Sequence, residues 1–320
     1  MSTSGGKQER SNVSKTKSLT RGGNQGGDVT LVIEDGESEC ALDIPGNVCS
    51  TKETVAAMEK HLQKKNVDTT MLKTAKDIVD MVKQDLKCNT EECVLKDPHF
   101  VKEENRSIVK ESLDRIKPEG PANSTKLLNN ENIDNVLKKL TKRHKGFYHM
   151  DFQMIDFAGE KDFSGEWIIK KGQKISPTRL GKIDMAKDVM AKGDKTFGVV
   201  MNTDLRTGGG IHWFSLFCDF RTNPCTVEYF NSSGNKPVKQ IQDWLIKTEE
   251  NLKSAGHNAK VVVLSGMIHQ KDSETECGLY SLYYIWNRLN GVPAENFQQK
   301  RVPDAKMIEW RKRVFKTRSD

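Results

Sequence analysis

Near its C-terminal end the chain reads SETECGLYSLYYIW, a cysteine in front of a glycine and a run of apolar and aromatic residues. The pattern predicts a buried helix with Cys277 in its first turn. A thiol attacks carbon as the thiolate, and amide groups at a helix start favour that form. Gly278 leaves room for a substrate backbone to come close. Taken alone, a cysteine at the start of a buried helix is more often structural. A nucleophile of this type also needs a base, and the base needs an orienting group. His212, in GGGIHWFSLF, opens an aromatic strand after a glycine turn, and Asn231 ends the next strand, TVEYFNSSG. Antiparallel neighbours would let the Asn231 amide oxygen accept the Nδ1 proton of His212 and leave Nε2 facing the thiol. An amide orients an imidazole but adds no negative charge beside it. Gln270, seven positions before Cys277, together with the Cys277 backbone N–H, supplies donors for an oxyanion. His269 is an alternative base.

The elements that must position these residues change character along the chain. STKETVAAMEKHL opens with a Ser50 to Glu53 capping box, and DTTMLKTAKDIVDMVKQDLK repeats apolar residues at helical spacing through Met71, Ala75, Ile78, Val82 and Leu86. NRSIVKESLDRI continues the helical set until KPEGPANS breaks it, a candidate domain joint, and NIDNVLKKL begins another amphipathic helix. Short strands follow: TFGVVMNTD, IHWFSLFCDF and CTVEYFNSS, then the helix VKQIQDWLIKTEENLKSA and the strand KVVVLSG. TGGG and RTNP read as turns between antiparallel neighbours. This is a mixed α/β or α+β core.

Composition sets the outer limits. The chain has 320 residues and a net charge of +7 from 51 basic and 44 acidic side chains, a modest excess that is not diagnostic of a partner. No membrane-spanning or signal-like stretch is present, so seven cysteines read as free thiols in a reducing compartment. The first 28 or so residues have the composition of a disordered basic tail, and VTLVIEDG after them reads as a docking strand or a partner-binding segment. Nucleic acid is not expected as a partner outside this tail, and the tail itself lacks aromatic residues interleaved with its charges, as a dedicated binding element would have. Cys88, Cys93 and His99 lack a fourth ligand at suitable spacing, so no metal and no cofactor are expected.

In their order, His212-Trp213, Asn231, Gln270 and Cys277-Gly278 resemble the ubiquitin-like-protein protease and adenovirus-endopeptidase group. NTDLRTGGGIHWFSLFCDF, EYFNSSGNKP, HQKDSETECGLYSLYYIWNRL, ECVLKDPHF and LLNNENIDNVL resemble, more closely, the polyprotein-processing proteases of African swine fever virus and related large DNA viruses. The resemblance runs from about Cys88 to Phe315. It implies an α+β fold: a central mixed, largely antiparallel sheet flanked by helices, the nucleophile on a central helix, and an N-terminal helical arm. The domains expected are a disordered basic tail at 1–45, a helical arm at 46–130 and a cysteine protease core at 131–320. The implied activity is a viral cysteine endopeptidase that cuts structural polyproteins after Gly-Gly during virion maturation. His212 is then the base, Asn231 its orienter, Gln270 the oxyanion donor and Cys277 the nucleophile. Trp213 is the aromatic wall that restricts the access channel to glycine, beside Gly278. Many cellular members carry Asp at the Asn231 position and place the Gln six residues before the cysteine, where this chain has Lys271. The expected partner is a structural polyprotein with Gly-Gly-X sites, with a capsid or core shell as a further contact, in host cytoplasmic viral factories and in the virion. A protease that removes ubiquitin-like modifiers, and an acyltransferase of the same fold, are the alternatives.

Overall fold

The computed structural model describes residues 38–159, 169–170, 173–174 and 176–317. The basic tail and VTLVIEDG lie outside the described residues.

Four helices come first: α1 (Lys52–Lys64), α2 (Ala75–Leu86), α3 (Glu91–Lys96) and α4 (Arg106–Asp114). α1, α2 and α3 each start after a threonine whose hydroxyl accepts from the amide three residues on: Thr51 from Thr54, Thr74 from Asp77, Thr90 from Cys93. Each cap satisfies an amide with no partner inside its helix. The cap of α1 is therefore Thr51 and not Ser50, whose backbone N–H instead donates to Glu91 Oε1 at 2.5 Å. Met71 also departs from expectation, because the Thr74 capping box starts α2 after it and leaves its side chain 75% exposed. The four helices enclose a cluster of Val55, Met58, Leu62, Val79, Val82 and Val94. Cys40, Ala41, Leu42 and Ile44, which the expected tail at 1–45 includes, are buried, and Cys40 forms a bridge to Ile116.

The expectation of free thiols is corrected at four positions. Cys40 is joined to Cys49, and Cys88 to Cys93. Cys218, Cys225 and Cys277 are free and buried. A reducing compartment bears on every thiol alike, whereas these pairings arise locally, across sequence separations of 9 and 5 residues.

The rest of the molecule is built on a sheet. Its elements are α5 (Asn130–Arg143), β1 (Phe147–His149), β2 (Gln153–Met154), β3 (Ile169–Lys170), β4 (Gln173–Lys174), α6 (Arg179–Lys182), β5 (Thr196–Asn202), β6 (Trp213–Asp219), β7 (Cys225–Phe230), α7 (Lys239–Ser254), β8 (Ala259–Leu264), α8 (Cys277–Leu289), α9 (Asn296–Gln299) and α10 (Asp304–Val314). The main sheet has the order β1-β5-β6-β7-β8, with β2 also on β5; β3 and β4 pair separately. β5, β6 and β7 are antiparallel, while β1 and β2 run parallel to β5 and β8 parallel to β7. The fold is thus α+β, a mixed sheet flanked by helices, and the glycine-rich turn at 207–210 and the turn at 221–224 link the antiparallel strands as expected.

Side chains alternate across a strand, so β6 serves two cores at once. Trp213 and Phe217 point toward α8, and Phe214, Leu216 and Cys218 toward the layer that holds Ile241, Trp244 and Leu245 of α7. Every residue of α8 is buried. At roughly 1.5–3 kcal/mol for each fully buried large apolar side chain, α8 is the most heavily anchored helix of the core. Its far end is tied by charge as well: Arg288 donates to Glu228 at 2.8 and 2.9 Å and to Asp219 at 3.1 Å, and Tyr284 Oη donates to Glu228 at 2.5 Å. Removing one member of such a buried group strands the rest without a partner. The network sets the register of α8 on β6 and β7, and with it the place of Cys277.

Candidate active site

His212 immediately precedes β6 and Asn231 immediately follows β7, whose register pairs Ser215 with Phe230. The two strand ends therefore meet. His212 Nε2 lies 2.7 Å from Asn231 Oδ1. The same oxygen accepts from the Ser233 backbone N–H at 3.1 Å and from its hydroxyl at 2.9 Å, while Asn231 Nδ2 donates to Tyr229 Oη at 3.0 Å. A backbone N–H can only donate, so the atom facing it is the amide oxygen, and His212 must carry its proton on Nε2. The expected ring orientation is thereby corrected. Nε2, not Nδ1, meets Asn231, and Nδ1 is the unprotonated nitrogen. The sequence brought the two residues together but could not choose between nitrogens, because the choice depends on how the ring leaves the strand.

Cys277 is the first residue of α8 and is 1% exposed. Burial pushes its thiol above the ordinary 9.0, although the backbone N–H groups of Trp213, Gly278 and Cys277 itself favour the thiolate; the nearby charge of Glu276 adds to the rise. The Trp213 amide belongs to the residue next to His212, so the sulfur sits against the strand start that carries the imidazole. Burial also lowers the His212 pKa below 6.5, outweighing the hydrogen bond to Asn231, which raises it. Both directions favour a neutral thiol beside a neutral imidazole at rest.

Gln270 lies on a loop stitched to the residue after Asn231. The backbone amides of His269 and Gln270 donate to the Ser232 carbonyl at 2.9 and 3.1 Å, and Ser232 Oγ donates to Gln270 Oε1 at 3.0 Å. Gln270 Nε2 donates to the Ser273 carbonyl at 2.7 Å, which uses one of its two protons. His269, the alternative base, belongs to the core. It is 1% exposed, its Nδ1 accepts from Val302 N–H at 3.0 Å and its Nε2 donates to the Phe297 carbonyl at 2.9 Å.

Trp213 is 5% exposed, and its Nε1 donates to the Leu128 carbonyl at 3.1 Å. A side chain added at Gly278 would meet Leu128 and the Trp213 ring at 3.2 Å, so only glycine fits here without pushing those side chains back by a few tenths of an ångström. Beside Trp213 opens a groove of about 490 Å³, walled by Leu127, Leu128 and the loop Gly209, Gly210 and Ile211. Leu127 and Leu128 had no assigned role in the sequence reading, although LLNNENIDNVL was singled out; the signal that could have found them is their place just before the Asn129 cap of α5. Ser233, which fixes the Asn231 amide, was also missed. Among the described residues no group of three or more His, Cys, Asp or Glu is placed to hold a metal, and Cys88 and Cys93, weighed as ligands, are bonded to each other.

No protein-family model matches the chain. It is 32% identical over 292 residues to the SUMO-1 cysteine protease of an African swine fever virus pig isolate from Kenya, covering 89% of this chain and 97% of that protein. The cysteine protease of a Vero-adapted Badajoz strain of the same virus is 34% identical over 241 residues, 73% of this chain and 85% of that one. The crystal structure of an African swine fever virus protease superposes with a TM-score of 0.59 at 28% identity, covering 88% of this chain and 97% of the other. A buried cysteine at a helix start, a histidine and asparagine joined across neighbouring strand ends, and relatives of this kind define a cysteine-type peptidase. The chain belongs to the family of African swine fever virus cysteine proteases.

Proposed function

We propose that this peptidase cleaves structural polyproteins after Gly-Gly pairs, with Cys277 as nucleophile. The observation that carries the assignment is the Asn231 to His212 hydrogen bond at 2.7 Å, since it leaves Nδ1 of the histidine as a free base. His212 Nδ1 takes the thiol proton as the sulfur attacks the carbonyl carbon. The Cys277 amide and the remaining Gln270 Nε2 proton stabilise the oxyanion. The imidazolium then protonates the leaving amine, and His212 activates water to release the acyl group. The groove between Leu127, Leu128 and Trp213 takes the residues before the scissile bond, and its buried indole wall favours glycine.

The separate buried cluster of α1 to α4 supports reading 46–130 as an arm and 131–320 as the protease core. Action in host cytoplasmic viral factories and in the virion completes the proposal. The name of the Kenyan relative, a SUMO-1 cysteine protease, favours a second reading, removal of a ubiquitin-like modifier. Mass spectrometry of products separates the two. Wild-type protein and Cys277→Ala are incubated with an unstructured Gly-Gly-X polypeptide and with a folded ubiquitin-like conjugate. Cutting of the polypeptide, lost in Cys277→Ala, supports polyprotein processing; cutting of the conjugate alone moves the function to modifier removal. Substantial cleavage by Cys277→Ala would overturn the nucleophile assignment.

A further inference from the structure

A second and larger groove, about 940 Å³, opens next to the one beside Trp213 and shares Leu127, Asn129 and Glu131 with it. Its walls come from the outer face of α5, from the joint between α4 and α5, and from Lys316 near the C-terminal end. Six lysines line it against three glutamates, a local excess that the near-balanced composition of the whole chain does not foretell.

Not all of this charge is neutralised internally. Lys142 pairs with Asp114 at 2.5 Å, and Lys316 pairs with Glu92. Lys126 and Lys138, both exposed, hold no salt bridge among the described residues. Lys139 is half-buried; its Nζ donates to the Leu113 carbonyl at 2.9 Å, which leaves two ammonium protons for another acceptor. Burial lowers its pKa, with the Lys142 charge acting in the same direction and Asp114 opposing. A partner carboxylate would relieve that cost.

We propose that this lysine-lined groove binds an acidic stretch of the polypeptide substrate, lying on the N-terminal side of the scissile bond. The direction rests on the reading above, in which the groove beside Trp213 holds the residues before the cut. The lining favours a peptide over a nucleic acid. Among the described residues no aromatic ring lines the groove for a base to stack on, and no arginine is present to grip a phosphate with two parallel bonds. Asn132 and Asn135 instead present side-chain amides along one face of α5, suited to the peptide groups of an extended chain.

The test uses the full chain and three fluorogenic peptides around one Gly-Gly-X core: one with four Glu residues several positions before the glycines, one with Gln at the same positions, and one with the four Glu after the cut. The upstream Glu peptide should be cleaved with a kcat/KM about fivefold above the Gln peptide at low ionic strength, with the ratio falling as salt is added. In Lys126→Gln/Lys138→Gln the ratio should collapse toward one. Equal cleavage of the Glu and Gln peptides by the wild type, or a preference for downstream acid, would overturn the inference while leaving the cysteine protease assignment intact. Cleavage of none of the peptides would count against the assignment, and the groove is then read by fluorescence anisotropy of the labelled upstream Glu and Gln peptides on Cys277→Ala. Tighter binding of the Glu peptide, weakened by the double substitution, supports the groove, and equal binding overturns it. Displacement of the Glu peptide by a single-stranded oligonucleotide, at a lower concentration than by a Glu peptide of matched charge, would overturn the choice of ligand.

Discussion

Arg311, on α10, donates through Nη2 to the carboxylate of Glu276 at 2.7 Å, and Glu276 is the residue directly before Cys277. Both side chains are almost fully buried, at 2% and 1% exposure. Arg311 Nη1 also donates to the Lys126 carbonyl at 2.8 Å, one residue before the Leu127 wall. One guanidinium therefore ties the start of α8, where Cys277 sits, to the side of the groove beside Trp213.

Arg311→Ala strands the buried Glu276 carboxylate, so it should destabilise the protein by about 3–5 kcal/mol. Adding Glu276→Gln removes the orphaned charge and should recover part of that loss. Urea unfolding of the single and double variants measures both; a loss within 0.5 kcal/mol in Arg311→Ala would contradict the pairing.

Asn231→Ala releases the Nε2 proton of His212 and lets the ring turn, and kcat should fall by about 10²-fold or more. Ser233→Ala removes one donor to the Asn231 oxygen but keeps the backbone N–H, so its effect should stay small. Asn231→Asp places a negative carboxylate beside the imidazole and raises the ring's pKa, which moves the acid limb of kcat/KM to higher pH. Steady-state profiles of the three variants distinguish orientation from charge.

In the proposed mechanism the working form has His212 neutral; burial holds its pKa below 6.5 while the Cys277 thiol lies above 9.0. The kcat/KM profile should rise with pH below 6.5 and remain flat to beyond neutrality. Alkylation of Cys277 by iodoacetamide should increase as pH approaches and passes 9. Fast alkylation near pH 5 would reveal a resting ion pair and contradict this electrostatic picture.

His269, whose burial drives its pKa down to about 4, gives a stability signature separate from catalysis. The unfolded chain protonates this histidine near 6.5 while the folded protein keeps it neutral, so the unfolded state binds more protons between pH 6.5 and 4. Stability should be full above 6.5 and decline as pH falls through that window, by roughly 3 kcal/mol at its end. His269→Gln should flatten this part of the curve, as read by urea midpoints against pH.

Trp213→Ala removes a buried indole wall and its bond to the Leu128 carbonyl. On the proposed reading the preference for glycine before the cut should relax, with a stability loss of about 3–5 kcal/mol. Trp213→Phe keeps an aromatic wall and should retain the glycine preference. Product profiling on peptides with Ala or Ser replacing each glycine tests both, and an unchanged preference in Trp213→Ala would remove the wall argument.

Much of this organisation was legible in the sequence because it depends on local pattern. Apolar spacing and turn residues located α5, α7, α8 and the strands β5 to β8, and the positions of His212 and Asn231 at strand ends followed from the glycine-rich turn at 207–210 and the motif NSSG. Helix starts were less secure where adjacent residues could both cap, as with Ser50 and Thr51, because only the distant Glu91 draws the Ser50 amide away. Neither the Cys40 to Cys49 nor the Cys88 to Cys93 bond could be read from counting thiols, since each depends on how a short loop turns back.

What the sequence by itself determined is the set of candidate reactive side chains and the elements that carry them, because hydrogen-bonding periodicity and side-chain chemistry are properties of the chain. Only the tertiary structure decided that Asn231 meets Nε2 of His212, that His269 is a core residue with both nitrogens occupied, and that lysines distant in sequence gather in one groove. Each of those outcomes depends on the angle at which a side chain leaves its element and on what the packing of β6, β7, α5 and α8 places opposite it.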